Sequence, residues 1–565
     1  MQMTRRNVLQ AALLGAAATA GGFWVKEGLA SSSKYGEVFG ELDRFVEQFM
    51  RAMNSPGMTL VLADREGVQR VTTYGFGDLD RQRKLEANEL FQIGSITKSF
   101  LALSLLQLRD EGKLDLHKPI VEYLPWFRVQ SSFAAITTHH LLTHTSGLPG
   151  APEVFPSDPA ARHLAAYAPG EQFHYNNMAF TLLGYLAWTL DGRELPEVLR
   201  ERIFKPLGMS QSEPAIDFQM RSRMPRSYQP FFGERPYPRH GELCEAPSII
   251  TTSGAGCIAA TARDMGAYVQ MLANRGRGPK RTLISPESFE LFSKRHIKAE
   301  EFGPTASYGY GIAVDELDGN PLLRHTGGMV SYMSALQVDI GAGIGGFASV
   351  NAQQGYRPNA VVKYGLQLMR AVAEKKQPPA PPALDSEFDV ANAGDYVGVF
   401  SGEQGKVEFA REATKLFLVR EGKRIPLESG DAPDQFHVSD PAAAHFPLVF
   451  GRKSANAGPV VEVSCGDAWY TAAAYDGPRQ FQVPDAWRSY VGHYRSEDAW
   501  IGSLRVFILK GRLLLDGTPL ELDGDLFRLR DEPSNTEWIR FGEIVNGKCM
   551  RLKYSGVDLW RVASA

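Results

Sequence analysis

The residues best equipped for chemistry lie in Phe91-Gln92-Ile93-Gly94-Ser95-Ile96-Thr97-Lys98-Ser99-Phe100. After them Phe100, Leu101, Leu103, Leu105, Leu106 and Leu108 recur with helical rather than strand spacing. Gly94 lets the chain turn sharply into that helix, so Ser95 is expected in its first turn, with the Lys98 amine on the same face. A serine hydroxyl is a poor nucleophile until a base takes its proton. Lysine becomes that base only where burial or a neighbouring cation lowers its pKa towards neutrality. A helix N-terminus also offers backbone N–H groups to an oxyanion. Ser-x-x-Lys alone is a weak signal, because a capping serine followed by a surface lysine has the same spacing.

Later stretches strengthen it. In Pro169-Gly170-Glu171-Gln172-Phe173-His174-Tyr175-Asn176-Asn177, Tyr175 and Asn177 face the same way if the loop is extended. A phenol beside Lys98 can relay or accept a proton, and a carboxamide can hold both a substrate carbonyl and the lysine. The plainer reading is a turn in which asparagine caps the next helix. Leu323-Arg324-His325-Thr326-Gly327-Gly328 opens a strand-like segment. Its glycines allow close approach to a substrate and a second oxyanion N–H, although a simple glycine turn would also fit.

The order and intervals of these elements resemble the penicillin-recognising serine hydrolases: class C β-lactamases, DD-carboxypeptidases, D-aminopeptidases and related esterases. Thr143-His144-Thr145-Ser146-Gly147-Leu148 and Tyr308-Gly309-Tyr310-Gly311 support the resemblance, which covers roughly residues 42–375. It implies acyl transfer through a covalent Ser95 acyl-enzyme, with Lys98 and Tyr175 sharing the proton traffic. The backbone N–H groups of Ser95 and Gly328 would form the oxyanion hole, and Asn177 would orient the substrate amide. Which of Lys98 and Tyr175 is the base stays open, because coupled groups titrate as a pair. His325, with Thr326 beside it, is assigned to substrate binding. Class C β-lactamases usually place a lysine cation at the His325 position, whereas an unperturbed imidazole is mostly neutral at pH 7 and titrates between about pH 5 and 8. That departure shifts the expectation towards a peptidase or amidase acting on D-amino-acid-containing peptides. A carboxylester hydrolase, a β-lactamase and a non-catalytic binder of cell-wall fragments are the alternatives. No cofactor is implied.

These residues need elements to position them. Residues 35–53 carry an amphipathic helical pattern with Val38, Leu42, Phe45, Val46 and Phe49 inward. Met58 to Ala63 and Val68 to Tyr74 read as a hairpin around Asp64-Arg65-Glu66-Gly67. Ser334 to Ile340 and Gly346 to Val350 read as further strands, and Pro358 to Ala373 as a closing helix. The expected fold is an α/β (α+β) β-lactamase-like domain over 35–375, in which helices flank a discontinuous antiparallel sheet. Gly341-Ala342-Gly343-Ile344-Gly345-Gly346 matches Gly-x-Gly-x-x-Gly, but a strand follows it, so it reads as a hairpin turn and not a dinucleotide site. His140 and His144 lack a third ligand and read as packing or loop-anchoring residues.

At 565 residues and a net charge of −3, the chain is too long for one ordinary domain and too neutral for an obvious nucleic-acid binder. Thr4-Arg5-Arg6-Asn7-Val8-Leu9, followed by an uncharged stretch to Val25, reads as a twin-arginine signal over 1–30. It predicts a periplasmic protein; the alternative is an inner-membrane anchor through an uncleaved signal. A Cys244–Cys257 disulfide is possible in that compartment, but Cys244, Cys257, Cys465 and Cys549 read as small buried residues. Residues 376–387, with Pro378, Pro379, Pro381 and Pro382, read as a semi-rigid linker.

The remainder repeats itself. Tyr396-Val397-Gly398-Val399-Phe400 returns as Tyr490-Val491-Gly492-His493-Tyr494, and Phe450-Gly451 as Phe541-Gly542. Short alternating strands without a convincing helix predict two small antiparallel (lipocalin-like) barrels, over 388–483 and 487–565. The layout looks like that of D-aminopeptidases, in which, as the resemblance implies, a loop of the last domain recognises a free substrate amine. Here the candidate loop is Asp531-Glu532-Pro533-Ser534-Asn535-Thr536-Glu537, with Asp531, Glu532 or Glu537 pairing with the ammonium and Asp531 the leading choice. The partner expected is a small peptide, amide or ester.

Overall fold

The computed structural model describes residues 27–28, 34–150, 154–155, 163–230, 242–353, 357–384, 386, 388–430, 432–438, 445–454, 457–498, 501–529 and 535–562. The signal-like segment therefore lies outside the described residues except for Glu27–Gly28, which pair with Thr72 and Thr73 at a sheet edge.

The N-terminal domain is built on a ten-stranded antiparallel sheet. Its elements are α1 (Gly36–Ala52), β1 (Gly57–Asp64), β2 (Gly67–Asp78), α2 (Thr97–Asp110), α3 (Asn177–Asp191), α4 (Ala262–Ala273), β3 (Ala313–Leu317), β4 (Asn320–Gly328), β5 (Met333–Asp339), β6 (Ile344–Val350) and α5 (Asn359–Ala373). The order across the sheet is β2-β1-β6-β5-β4-β3, continued by the short strands Ser307–Tyr308 and Ile297–Lys298. Strands from the two ends of the domain meet in the middle, where Leu60 of β1 opposes Ala348 of β6. That is the discontinuous sheet the sequence predicts.

Both faces of the sheet are covered, and β1 shows why the chain divides into layers. Leu60 and Leu62 join the core made with α1 and α5, while Val61 and Ala63 join the larger core that contains α2, α3 and α4. A strand's side chains alternate between faces, so an all-apolar strand serves two cores. In α1 the buried residues include Val38, Leu42, Phe45, Val46 and Phe49, the stripe expected from their spacing. The helix α2 differs: it is buried almost all round, Lys98 included. An amphipathic stripe is unnecessary for a helix enclosed on every side.

After the linker come two closed barrels of eight strands each. Ser401 opposite Thr471 closes the first, and Tyr494 opposite Arg561 closes the second. Phe400, Phe436 and Phe450 fill the first core, as Tyr494 and Phe527 fill the second. The barrels touch through Lys510, 2.9 Å from Glu462, and through the rings of Phe446 and Phe507 at 4.9 Å. No disulfide joins Cys244 to Cys257, so the open disulfide reading is settled against a bridge. Among the described residues no helix is long and apolar enough to cross a membrane.

Candidate active site

Ser95 lies in a 3-10 turn, Gly94–Ile96, which leads directly into α2. Gly94 has φ +54°, and a Cβ there would fall 2.8 Å from the backbone N and O of Gly328. A Cβ on Gly327 would sit 1.9 Å from the Ile93 carbonyl oxygen. Both glycines are required: only bare backbone lets β4 lie this close to the nucleophile turn. Their contact brings the Gly328 amide alongside Ser95, where two N–H groups can share an oxyanion.

Lys98 Nζ lies 3.0 Å from Ser95 Oγ, 2.8 Å from Asn177 Oδ1 and 2.9 Å from the carbonyl of Ala255. It is 0% exposed, and burial holds the amine well below its ordinary value. A neutral amine has two hydrogens and one lone pair. Asn177 Oδ1 and the Ala255 carbonyl can only accept, so they take the two hydrogens. The lone pair is left for the third hydrogen-bonding contact, the Ser95 hydroxyl, which has a proton to give. That arrangement lets Lys98, in its neutral form, act as a base for Ser95.

Asn176 and Asn177 divide the work that the sequence left to one asparagine. Asn176 caps α3 by accepting from the Ala179 N–H at 2.7 Å, and its amide group donates to the carbonyls of Leu148 and Pro149. Asn177 is thereby free to face Lys98. The Tyr175 ring lies 4.8 Å from Lys98 Nζ. Its hydroxyl is buried and close enough to Ser95 to feel it, yet no hydrogen bond closes between them. Burial pushes the phenol above its usual range, so Tyr175 is a proton donor at neutral pH.

A residue that the sequence assigned to packing or loop anchoring holds this loop. His144 Nδ1 accepts from the Asn176 N–H at 2.9 Å, its carbonyl accepts from the His174 N–H at 2.9 Å, and its ring lies 4.4 Å from that of Tyr175. Burial keeps the imidazole well below its ordinary pKa, as an acceptor at Nδ1 requires. The Thr-His-Thr-Ser-Gly stretch was the signal for it. The Ala255 carbonyl had no signal, because any residue supplies one.

His325 departs from expectation. It is buried behind Tyr175, with Nε2 2.9 Å from the Tyr308 hydroxyl and Nδ1 2.6 Å from the Thr326 carbonyl. Nδ1–H donates to the carbonyl and Nε2 accepts from the phenol, so both nitrogens are engaged. Burial, with the nearby Lys98, pushes its pKa down to about 3. The titration expected between pH 5 and 8 is thus displaced downwards, and both nitrogens already have protein partners on the strand and on Tyr308. Thr326, next along β4, is half-buried.

Asp531 and Glu532 lie outside the described residues, but the end of their loop reaches the N-terminal domain. Thr536 Oγ1 donates to the Leu148 carbonyl at 3.0 Å, and Glu537 Oε1 accepts from the Gly150 N–H at 2.6 Å. His174 Nε2 stands 3.8 Å from the same oxygen. Glu537 is 7% exposed, and its Oε2 has no hydrogen-bond partner among the described residues. No group of three or more potential metal ligands occurs among them either. Surface cavities of about 580 and 550 Å³ open beside His117 and beside Arg223, and neither is lined by Ser95, Lys98 or Tyr175.

A family profile described as Beta-lactamase matches residues 42–368. The chain is 28% identical over 332 residues to penicillin-binding protein 4 of Amycolatopsis lactamdurans, covering 55% of this chain and 84% of that protein. It is also 28% identical over 318 residues to esterase EstB of Burkholderia gladioli, covering 48% of this chain and 79% of that protein. The solved octameric penicillin-binding protein homologue from Pyrococcus abyssi matches with a TM-score of 0.54 at 22% identity, over 77% of this chain and 98% of that one. That last likeness concerns the fold.

Proposed function

The chain belongs to the beta-lactamase family of penicillin-recognising serine hydrolases, and on that premise we propose that it cleaves short D-amino-acid-containing peptides or amides bearing a free amine. Ser95 Oγ attacks the scissile carbonyl while its proton passes to Lys98, and the N–H groups of Ser95 and Gly328 hold the oxyanion. The Tyr175 phenol, re-protonated through Lys98, gives the departing amine its proton. Water then releases the acyl group from Ser95 by the same steps in reverse.

The observation that carries the substrate class is the Glu537 carboxylate, delivered by the second barrel beside the Tyr175 loop with one oxygen unpartnered among the described residues. A buried carboxylate oxygen without a donor is costly, and a substrate ammonium would satisfy it. Likeness to an esterase supports carboxylester hydrolysis as the second reading. The same proposal places the protein in the periplasm, exported by its twin-arginine segment.

The test compares D-alanyl-p-nitroanilide with its N-acetylated form. The free amine is expected to react faster by about ten- to a hundredfold in kcat/KM, the scale of one charge-assisted hydrogen bond. Equal rates would remove the amine-recognition role, and faster turnover of short acyl esters than of either amide would favour the esterase.

A further inference from the structure

The second barrel meets the N-terminal domain at residues 148–150, a stretch that is neither helix nor strand. Backbone without a ladder must find other partners for its polar groups. Here they come from two sides. From within the domain, the Asn176 side-chain amide donates to the carbonyls of Leu148 at 2.6 Å and Pro149 at 2.8 Å. From the barrel, Thr536 Oγ1 donates to the same Leu148 carbonyl at 3.0 Å, and Glu537 Oε1 accepts from the Gly150 N–H. A carbonyl oxygen has two lone pairs, so Asn176 and Thr536 together saturate the one on Leu148. Leu148, Asn176 and Thr536 are each 1% exposed, which leaves water no room to replace either donor.

Thr536 is itself held from behind. Its carbonyl accepts from Arg528 Nη1 at 3.2 Å, and Arg528 pairs with Asp523 at 3.1 Å on the adjacent strand of the barrel. On the other side of Leu148, Asn176 is fixed through both main chain and side chain. Its N–H donates to His144 Nδ1 at 2.9 Å, and its Oδ1 caps α3 at the Ala179 N–H. The residues on either side of it are thereby aimed at the reaction centre. Asn177 Oδ1 meets Lys98 Nζ at 2.8 Å, and the Tyr175 ring lies 4.8 Å from the same nitrogen. A continuous set of buried contacts therefore runs from the barrel, through the Leu148 carbonyl and Asn176, to the two residues that flank Lys98.

We propose that Thr536 is a positioning residue of the hydrolase: by holding the Leu148 carbonyl it fixes Asn176, and so keeps Asn177 and Tyr175 in place against Lys98. Resting on the serine-hydrolase reading, this adds that a hydroxyl on another domain sets how fast Ser95 reacts, whatever the substrate. Thr536 belongs with the reaction centre although the barrel carries it, whereas Glu537, the next residue, is placed for recognition. Without the hydroxyl, the buried carbonyl loses one of its two donors and the 148–150 segment loses a restraint. A displacement of about 1 Å in a supporting group is enough to cost about a hundredfold in rate.

The test reads the second-order rate at which Ser95 takes up a fluorophosphonate, a probe that needs an activated hydroxyl whatever the natural acyl group is. It compares the full chain with Thr536→Val, Thr536→Ser, Asn176→Ser and the double variant Thr536→Val/Asn176→Ser, and follows the thermal unfolding of each. Asn176→Ser keeps a capping oxygen for α3 and loses the amide. Thr536→Val, similar in shape but without a donor, is expected to slow labelling by about ten- to a hundredfold while still unfolding cooperatively. Thr536→Ser should stay within about twofold of the unsubstituted protein. On the Asn176→Ser background, Thr536→Val should cost no more than about a further twofold, because the connection it works through is already cut. Unchanged labelling in Thr536→Val, a loss that serine does not recover, or full multiplication in the double variant overturns the proposal. So does a slowed Thr536→Val that has lost its cooperative unfolding, since the hydroxyl would then hold the fold and not the site. An unsubstituted protein that takes no label at Ser95 would sink the serine reading itself and the proposal with it, a result that none of the others mimics.

Discussion

At the reaction centre Lys98 Nζ has three partners within 3.0 Å, whereas at the second-barrel loop a buried oxygen of Glu537 has none among the described residues. The contrast separates two tasks. Lys98 is satisfied before substrate arrives, which is what preorganised chemistry needs. The loop keeps an unmet demand, which is what recognition needs, since a group already paired discriminates nothing. The first barrel sharpens the point. It repeats the architecture of the second, but the hydrogen bonds to Leu148 and Gly150 come from the second alone among the described residues. Architecture was duplicated; the contact to the site was not.

If that division is right, damage to the centre should lower all activities together, while damage to the loop should change their ratio. The largest effect belongs to Ser95→Ala, expected to cost on the order of a millionfold in kcat on free-amine, N-blocked and ester substrates alike. Turnover near that of the unsubstituted protein on any one of them would break the assignment of Ser95. Lys98→Ala and Tyr175→Phe should each cost orders of magnitude, and the double variant far less than their product, because they pass one proton between them. A multiplicative double variant in steady-state kinetics would show that they act independently.

Glu537→Gln keeps an oxygen for the Gly150 N–H but removes the charge. The preference for free over N-acetylated D-alanyl amides should fall by about tenfold or more, read as a ratio of kcat/KM values. An unchanged ratio would make the loop a structural strut.

Smaller effects concern pH. His139 and His325 titrate at about 4 and about 3 in the folded protein against 6.5 when unperturbed, chiefly through burial. The unfolded chain therefore binds more protons than the folded one between those values. Stability is fully present above pH 6.5 and is lost as pH falls towards 4 and 3, by at most about 1.4 kcal/mol per pH unit for each histidine. Denaturant midpoints that stay flat from pH 7 to 4 would contradict this. The smallest expected effect is none: His325→Gln should leave the shape of the pH–rate profile between pH 5 and 8 unaltered, because His325 is already neutral there. A limb lost in that variant would restore a titrating role.

Local spacing determined much of this protein in advance. Ser95 and Lys98 three apart, the Tyr-x-Asn pair, the α1 stripe, the paired strands and the repeated Tyr-Val-Gly segments all rest on the fixed periods of helix and strand, which act within a few residues. Tertiary structure decided what those residues can do. Lys98 can serve as a base because Tyr175, Phe180 and the Ala255 segment, brought from distant parts of the chain, exclude water around it. His325 is neutral because Tyr308 and its own strand bury it, a state its identity did not reveal. Glu537 matters only through where it arrives, on a barrel loop more than 350 residues beyond Gly150. Spacing is a property of the chain, but desolvation and charge complementarity belong to surroundings that exist only once the chain has folded.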